Sequence, residues 1–286
     1  MLKIINYFLQ SLIIYLFFLV GRILGLKISR NIFSFLFSFI GPIFKSKRII
    51  ENNLDIFSSK VSNLDRKKIV SEMWKNYGMT FIEYIFLSYF RNTNFNVILK
   101  NEENLLNIVQ EKKPVIFISG HFANFELMSM EITKRNIPLA TIYRPLNNIF
   151  LNPFMEHLRK KNVCKNQIKK GINGVRESIE YIKRKNCIAL MIDQRVSEGE
   201  KTNFFDNPCL TTTLPAQLAL KYKLKIVPLL IKREKNNCFE ISCEAPIDSK
   251  NFKDKIHLTR FLNTKLEIMI KKNPEQWIWT HNRWKL

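Results

Sequence analysis

Cysteine, glycine and acidic side chains are all scarce in this chain of 286 residues. The five cysteines, at 164, 187, 209, 238 and 243, are odd in number and form no C-x-x-C pair. That speaks against a disulfide scaffold or a structural zinc site and fits a reducing compartment. Eight glycines and ten prolines exclude collagen-like and linker-rich chains. No repeat of 20–50 residues and no low-complexity linker interrupts the sequence. There is no G-x-S-x-G elbow, no P-loop and no G-x-G-x-x-G fingerprint, so the serine-hydrolase and nucleotide-binding classes lose their usual marks. No alanine precedes Ala123, which leaves no A-x-A cleavage site near the N-terminus.

Apolar and basic residues fill the space. Hydrophobic residues make up 46% of the chain, enough to build a core and to argue against intrinsic disorder. Lys and Arg number 46 against 24 Asp and Glu, a formal net charge of +22. One source of that charge is an A+T-rich genome, which favours Lys, Ile and Asn. The other is a surface that attracts anions: membrane head groups, an acidic carrier protein or nucleic acid. No RNP, zinc-finger or basic-helix pattern supports nucleic acid.

From Ile4 to Gly21 the chain carries no charged side chain. Those 18 residues are the lower limit for a helix that crosses a bilayer. The missing cleavage site favours an uncleaved anchor over a signal peptide. A second apolar run at 31–44, broken by Gly41-Pro42, is too short to span and reads as interfacial or re-entrant, with a core helix as the alternative. Arg22, Lys27, Arg30, Lys45, Lys47 and Arg48 follow the anchor and only Lys3 precedes it, which predicts a cytoplasmic C-terminal part. We therefore expect a membrane anchor and interfacial segment over 1–48 and a catalytic domain over 49–286.

In that domain, 64–90 reads as one or two amphipathic helices with Trp74, Tyr77, Phe81 and Tyr84 on one stripe. Strands are predicted at 114–120, 138–144, 187–192, 225–232 and 238–244. Helices are predicted from about 123, near 148–162, at 173–185, near 213–222 and at 255–272. The alternation implies an α/β fold, a sheet covered by helices.

The first of these strands runs into Gly120-His121-Phe-Ala-Asn124-Phe-Glu126. Ligands of open α/β sheets lie at the carboxyl ends of strands, and Gly120 makes a tight turn cheap. Five helical residues turn about 500°, roughly 140° out of register, so His121 and Glu126 can pair only with His121 in a turn ahead of the helix. A carboxylate on one imidazole nitrogen leaves the other free to take a proton from a hydroxyl. Alone, H-x4-E is common, and a packed or capping histidine is the bland reading. No further His or Cys stands at ligand spacing, so we expect no metal.

G-H-F-A-N-F-E, followed by Tyr143-Arg-Pro-Leu-Asn-Asn148, resembles the late acyltransferases of lipid A biosynthesis. These are lauroyl and myristoyl transferases within the wider H-x4-D/E glycerolipid acyltransferase group. Ile192-Asp-Gln194, Phe204-Phe205, Thr211-Thr-Thr-Leu-Pro-Ala216 and the Trp-rich ending from Pro274 to Lys285 carry the likeness through the whole chain. The resemblance implies a helix-covered mixed sheet of the glycerolipid-acyltransferase type with an N-terminal transmembrane helix, in a bacterial inner membrane. It implies transfer of a fatty acyl chain from acyl carrier protein to a hydroxyl of a lipid A precursor, with no cofactor. His121 matches the catalytic base and Glu126 its orienting acid. Asn124, Arg144, Asp193 and Gln194 match substrate-site positions, and Arg283 is a candidate anion contact. Trp277, Trp279 and Trp284 are expected to pack the core or to sit in the head-group layer. Three departures flank the expected cleft: Asp206 where F-F-G is common, Leu214 where T-x-x-G-P-A is common, and Arg195 after the D-Q pair. A thioester is already activated, so a base and an oxyanion stabiliser suffice without a nucleophilic Ser or Cys. The alternatives are another lipid acceptor, a lysophospholipid or glycolipid, or a non-catalytic basic membrane scaffold.

Overall fold

The computed structural model describes residues 2–58 and 62–286. Its order is α1 (Leu2–Phe44), α2 (Lys47–Phe57), α3 (Asn63–Glu83), a 3₁₀ turn, α4 (Leu87–Asn92), β1 (Val97–Lys100), α5 (Glu103–Glu111), β2 (Ile116–Ser119), α6 (Glu126–Lys134), β3 (Leu139–Tyr143) and α7 (Asn152–Asn162). Then follow β4 (Asn166–Lys169), α8 (Ile172–Lys183), β5 (Cys187–Met191), β6 (Glu200–Phe204), β7 (Asn207–Thr211), α9 (Leu214–Tyr222), β8 (Lys225–Arg233), β9 (Phe239–Cys243), β10 (Ile247–Asp248) and α10 (Lys255–Lys272).

The main sheet has the order β1-β9-β8-β2-β5-β3-β4, with β10 added on β8. Strands β4, β3, β5, β2 and β8 run parallel, whereas β9 and β10 are antiparallel to β8. The sheet is mixed and helix-covered, as expected. Its central strands are the continuous apolar runs: all four residues of β2 are buried, as are most of β8. Strands covered on both faces need that composition. The strands the sequence did not betray are edge or accessory strands with polar or alternating residues: β1, β4 and the β6–β7 hairpin. That hairpin turns through Phe205 and Asp206, at φ 49° and 58°, the left-handed region where glycine would be relaxed.

The apolar N-terminus differs from the single span expected over 4–21. At Gly25 the backbone leaves the helix (φ 76°, ψ 166°) and α1 folds back on itself. In a straight helix Phe17 and Phe33 would lie about 24 Å apart, yet their rings are 5.4 Å apart. Ser29 Oγ likewise donates to the Gly21 carbonyl at 2.8 Å. The run at 31–44 is therefore the second arm of a helical hairpin. Its inner side seats on the aromatic stripe of α3: Phe37 meets Tyr77 and Phe81, and Phe18 of the first arm also meets Phe81. The outer side leaves Leu16, Leu19, Ile23, Phe35, Phe39 and Ile43 exposed. The first arm also rests on the loop after β3, where Asn148 Nδ2 donates to the Tyr7 carbonyl and Phe150 packs on Phe8. These contacts cross the division at residue 48.

The hairpin can approach α3 closely because Gly78 has no side chain. A Cβ there would stand 2.1 Å from the Phe33 carbonyl oxygen. Gly78→Ala should therefore force the second arm off its seat and cost about 1–3 kcal/mol. A fall of several degrees in Tm in detergent checks this, and an unchanged Tm would contradict it.

Candidate active site

Strands β2 and β5 are neighbours with Ser119 opposite Met191. Two residues beyond each strand end, the same register sets His121 opposite Asp193. His121 Nδ1 lies 2.8 Å from Asp193 Oδ1, and Asp193 Oδ2 accepts from the His121 backbone N–H at 2.7 Å and from Trp277 Nε1–H at 2.9 Å. A carboxylate can only accept, so Nδ1 carries the proton. Among the described residues Nε2 has no hydrogen-bond partner, while the Phe125 ring stands edge-on at 4.7 Å. The His121 side chain keeps 18% of its surface exposed, against 3% for Asp193.

Burial alone would lower the His121 pKa, but the charge and hydrogen bond of Asp193 outweigh it and raise the value above the ordinary 6.5. Burial alone would raise Asp193, yet His121 and the Trp277 N–H bring it down to about 2. Gly120 makes the approach possible through space rather than through its backbone angle. A Cβ there would meet Phe122 at 2.9 Å and Asp193 Oδ2 at 3.2 Å. The left-handed residue of this turn is Ala123, at φ 42°. Its N–H donates to the Gln276 carbonyl, and Phe122 bridges to Trp277, so the C-terminal tail is stitched to the turn.

Glu126 opens α6, as the motif suggested, but its carboxylate does not bond His121. Glu126 Oε1 accepts from Arg159 Nε at 2.6 Å and from the Tyr84 hydroxyl at 2.7 Å. Arg159 Nη2 donates in turn to the Tyr84 oxygen at 3.0 Å. The physical reason is strand order: β5 lies between β2 and β3, so Asp193 rather than Arg144 is the strand-end neighbour of His121. Arg144, just past β3, and Gln194 are exposed, and neither side chain has a hydrogen-bond partner among the described residues.

Asn124 and Arg283 are fully buried. Asn124 Nδ2 donates to Glu83 Oε2 at 2.9 Å, facing the interior. Arg283 donates to the Leu210 carbonyl and to Thr211 Oγ1, both at 2.7 Å, with its guanidinium 5.0 Å from the Phe204 ring centroid. It braces the tail against β7. Trp277 and Trp279 are buried too, which removes them from any head-group layer.

Beneath the site sits an ionic node that the sequence reading did not single out. Glu83, fully buried, accepts from Arg30 Nε at 2.6 Å and from two Arg233 nitrogens at 2.5 and 3.0 Å. One carboxylate thus ties the apolar hairpin, α3, the Asn124 turn and β8. Two guanidiniums outweigh it, and the Phe239 ring faces both, with Arg233 4.6 Å from its centroid. The signal in the sequence was a lone Glu within Met79-Thr-Phe-Ile-Glu83-Tyr-Ile-Phe-Leu87, a charge in an apolar run. Arg159 carried no such signal beside Lys160 and Lys161.

All five cysteines are free, and burial holds three of them as thiols, pushing Cys164 and Cys187 up to about 11 and Cys243 to about 12.

A strand-end histidine on a helix-covered mixed sheet, in a chain with an apolar hairpin, suits an enzyme acting on lipid. Comparison with known proteins gives the class and the family: the model of the bacterial lipid A biosynthesis acyltransferases matches residues 1–286, and the chain belongs to that family of acyltransferases. The lipid A biosynthesis palmitoleoyltransferase of Escherichia coli K12 is 21% identical over 257 residues, 85% of this chain and 80% of the relative. The lauroyltransferase of the same organism is 21% identical over 252 residues, 83% and 78% of the two chains. Among solved structures, the 1-acyl-sn-glycerophosphate acyltransferase PlsC of Thermotoga maritima overlays with a TM-score of 0.42 at 13% identity, over 89% of this chain and 100% of that one.

Proposed function

We propose that the chain moves a fatty acyl group from an acyl carrier protein thioester to a hydroxyl of a lipid A precursor. The single observation that carries the mechanism is His121, whose Nδ1–H is directed at Asp193 and whose Nε2 has no hydrogen-bond partner among the described residues. The relatives' names support the fatty acyl group and the lipid A acceptor. In the reaction, Nε2 takes the hydroxyl proton as the oxygen attacks the thioester carbonyl carbon. The tetrahedral intermediate then breaks its C–S bond, and Nε2–H returns the proton to the departing thiolate. The products are an ester and a free thiol, and the imidazole is neutral again. Arg144 and Gln194, exposed beyond the ends of β3 and β5, are positioned to meet substrate. Asn124 and Arg283 act from the interior by holding the turn and the tail.

The apolar outer face of the hairpin supports a membrane seat for residues 1–48, with 49–286 as the catalytic domain on the cytoplasmic side of a bacterial inner membrane. That placement raises the local concentration of a lipid acceptor.

The test of the donor is a comparison of carriers. Acyl carrier protein is acidic as a class, and attraction to a chain of net charge +22 is screened over about 10 Å at 0.1 M salt. Transfer from acyl carrier protein by purified protein in vesicles should therefore lose kcat/KM steeply between low and physiological salt, and transfer from acyl-coenzyme A much less. Equal use of both donors with equal salt response would contradict the carrier-protein reading.

A further inference from the structure

We infer that Asp193, held by Trp277, is the acid that orients and charges His121, and that Glu126 instead fixes Arg159 and Tyr84 at the side of the site. The activity readout of this assignment rests on the acyl-transfer reading above; its titration readout does not.

Charge balance separates the two carboxylates. Glu126 is already neutralised: Arg159 binds it at 2.6 Å, and the Tyr84 hydroxyl binds the same oxygen. Asp193 has no such partner. Its donors are a backbone N–H and the Trp277 indole N–H, both neutral, and the His121 ring. It is almost fully buried, so its charge is poorly solvated; Arg283 acts on it from beyond hydrogen-bond range, and a cation in direct contact is present only when His121 takes up a proton. In acyl transfer that proton arrives from the acceptor hydroxyl, and the resulting imidazolium faces an anion across 2.8 Å. Geometry agrees with charge. The backbone N–H and the ring Nδ1 of His121 bind the two oxygens of one carboxylate, which fixes both the tautomer and the ring plane. The indole of Trp277 then fixes the carboxylate. No rearrangement is needed before the proton moves.

The charged groups around the ring are Asp193 beyond β5, Glu126 at the start of α6, Arg159 on α7 and His281 in the tail. Glu126 raises the His121 pKa and Arg159 lowers it, so these two oppose each other. His281 is held below the ordinary value, chiefly by burial, and its Nε2 accepts from the Arg195 backbone N–H. That leaves Asp193 as the group whose loss moves the titration most.

The experiment is nitrogen-15 NMR of histidine-labelled full-length protein in micelles, paired with kcat against pH, for wild type, Asp193→Asn, Glu126→Gln and Trp277→Phe. In the wild type, Nδ1 carries the proton and His121 titrates above the ordinary histidine value. In Asp193→Asn the titration should fall below that value, the acid limb of kcat should follow it, and kcat should drop by about 10³–10⁴-fold. Glu126→Gln removes a smaller raising charge and leaves Arg159 unopposed, so it should lower the His121 titration less than Asp193→Asn does, its activity loss arising through Arg159. Trp277→Phe should shift the titration the same way as Asp193→Asn but less, with kcat down by roughly 10–100-fold. If Asp193→Asn does not fold, the wild-type tautomer and Trp277→Phe still decide. The proton on Nε2 in the wild type, or a titration moved by Glu126→Gln and not by the Asp193 and Trp277 variants, overturns the assignment. The NMR arm uses no substrate, so it stands or falls apart from the acyl-transfer reading.

Discussion

His121→Ala should abolish acyl transfer while the protein still folds. General-base groups contribute about 10²–10⁴-fold in rate, or roughly 3–5 kcal/mol of barrier. Little packing is lost, because the ring is partly exposed and Asp193 retains two N–H donors, from Trp277 and from the backbone of residue 121. The double variant with Asp193→Asn should be little worse than His121→Ala alone, since an orienting acid has no task once the base is gone. Steady-state rates of the purified variants in vesicles, with Tm read alongside, check both statements. A His121→Ala protein that transfers acyl chains within about threefold of wild type would return this residue to a packing role.

Glu83→Gln should be the most damaging change to stability. The substitution leaves Arg30 and Arg233, both buried, without their shared anion, and it weakens the hold on Asn124. Removing one partner of a buried ionic group typically costs about 3–5 kcal/mol. For a chain of this size that is a fall in Tm on the order of 10 °C. Adding Arg30→Met should recover part of the loss, because one stranded cation is removed. Thermal unfolding in detergent measures both variants. A Glu83→Gln protein as stable as wild type would show that the node is not the joint between hairpin, catalytic turn and sheet.

What could be read from the sequence was whatever depends on a local run. The strands β2, β5 and β8 appear as apolar blocks, and α10 as a periodic helix with Asp254 capping it. A turn carrying His121 ahead of the helix that holds Glu126 also followed from the motif, although the helix begins at Glu126 rather than near 123. What depends on neighbours in space did not show. The turn at Gly25 is hidden because Leu24-Gly25-Leu26 continues the apolar pattern on both sides, so one hairpin reads as two separate segments. The pairing of His121 with Asp193 requires β5 beside β2, an order set by two crossover connections and by the packing of the helices between them. The H-x4-E spacing singled out two positions and joined them to each other, whereas the fold gives each its own partner from elsewhere in the chain.

Addition of a fatty acyl group to a lipid A precursor through His121 is decided by mass spectrometry of lipids from cells lacking the protein, complemented with wild type or with His121→Ala. The predicted result is lipid A one acyl chain short in the deletion, restored by wild type and not by His121→Ala. Unchanged lipid A together with altered phospholipids, or restoration by His121→Ala, would contradict it.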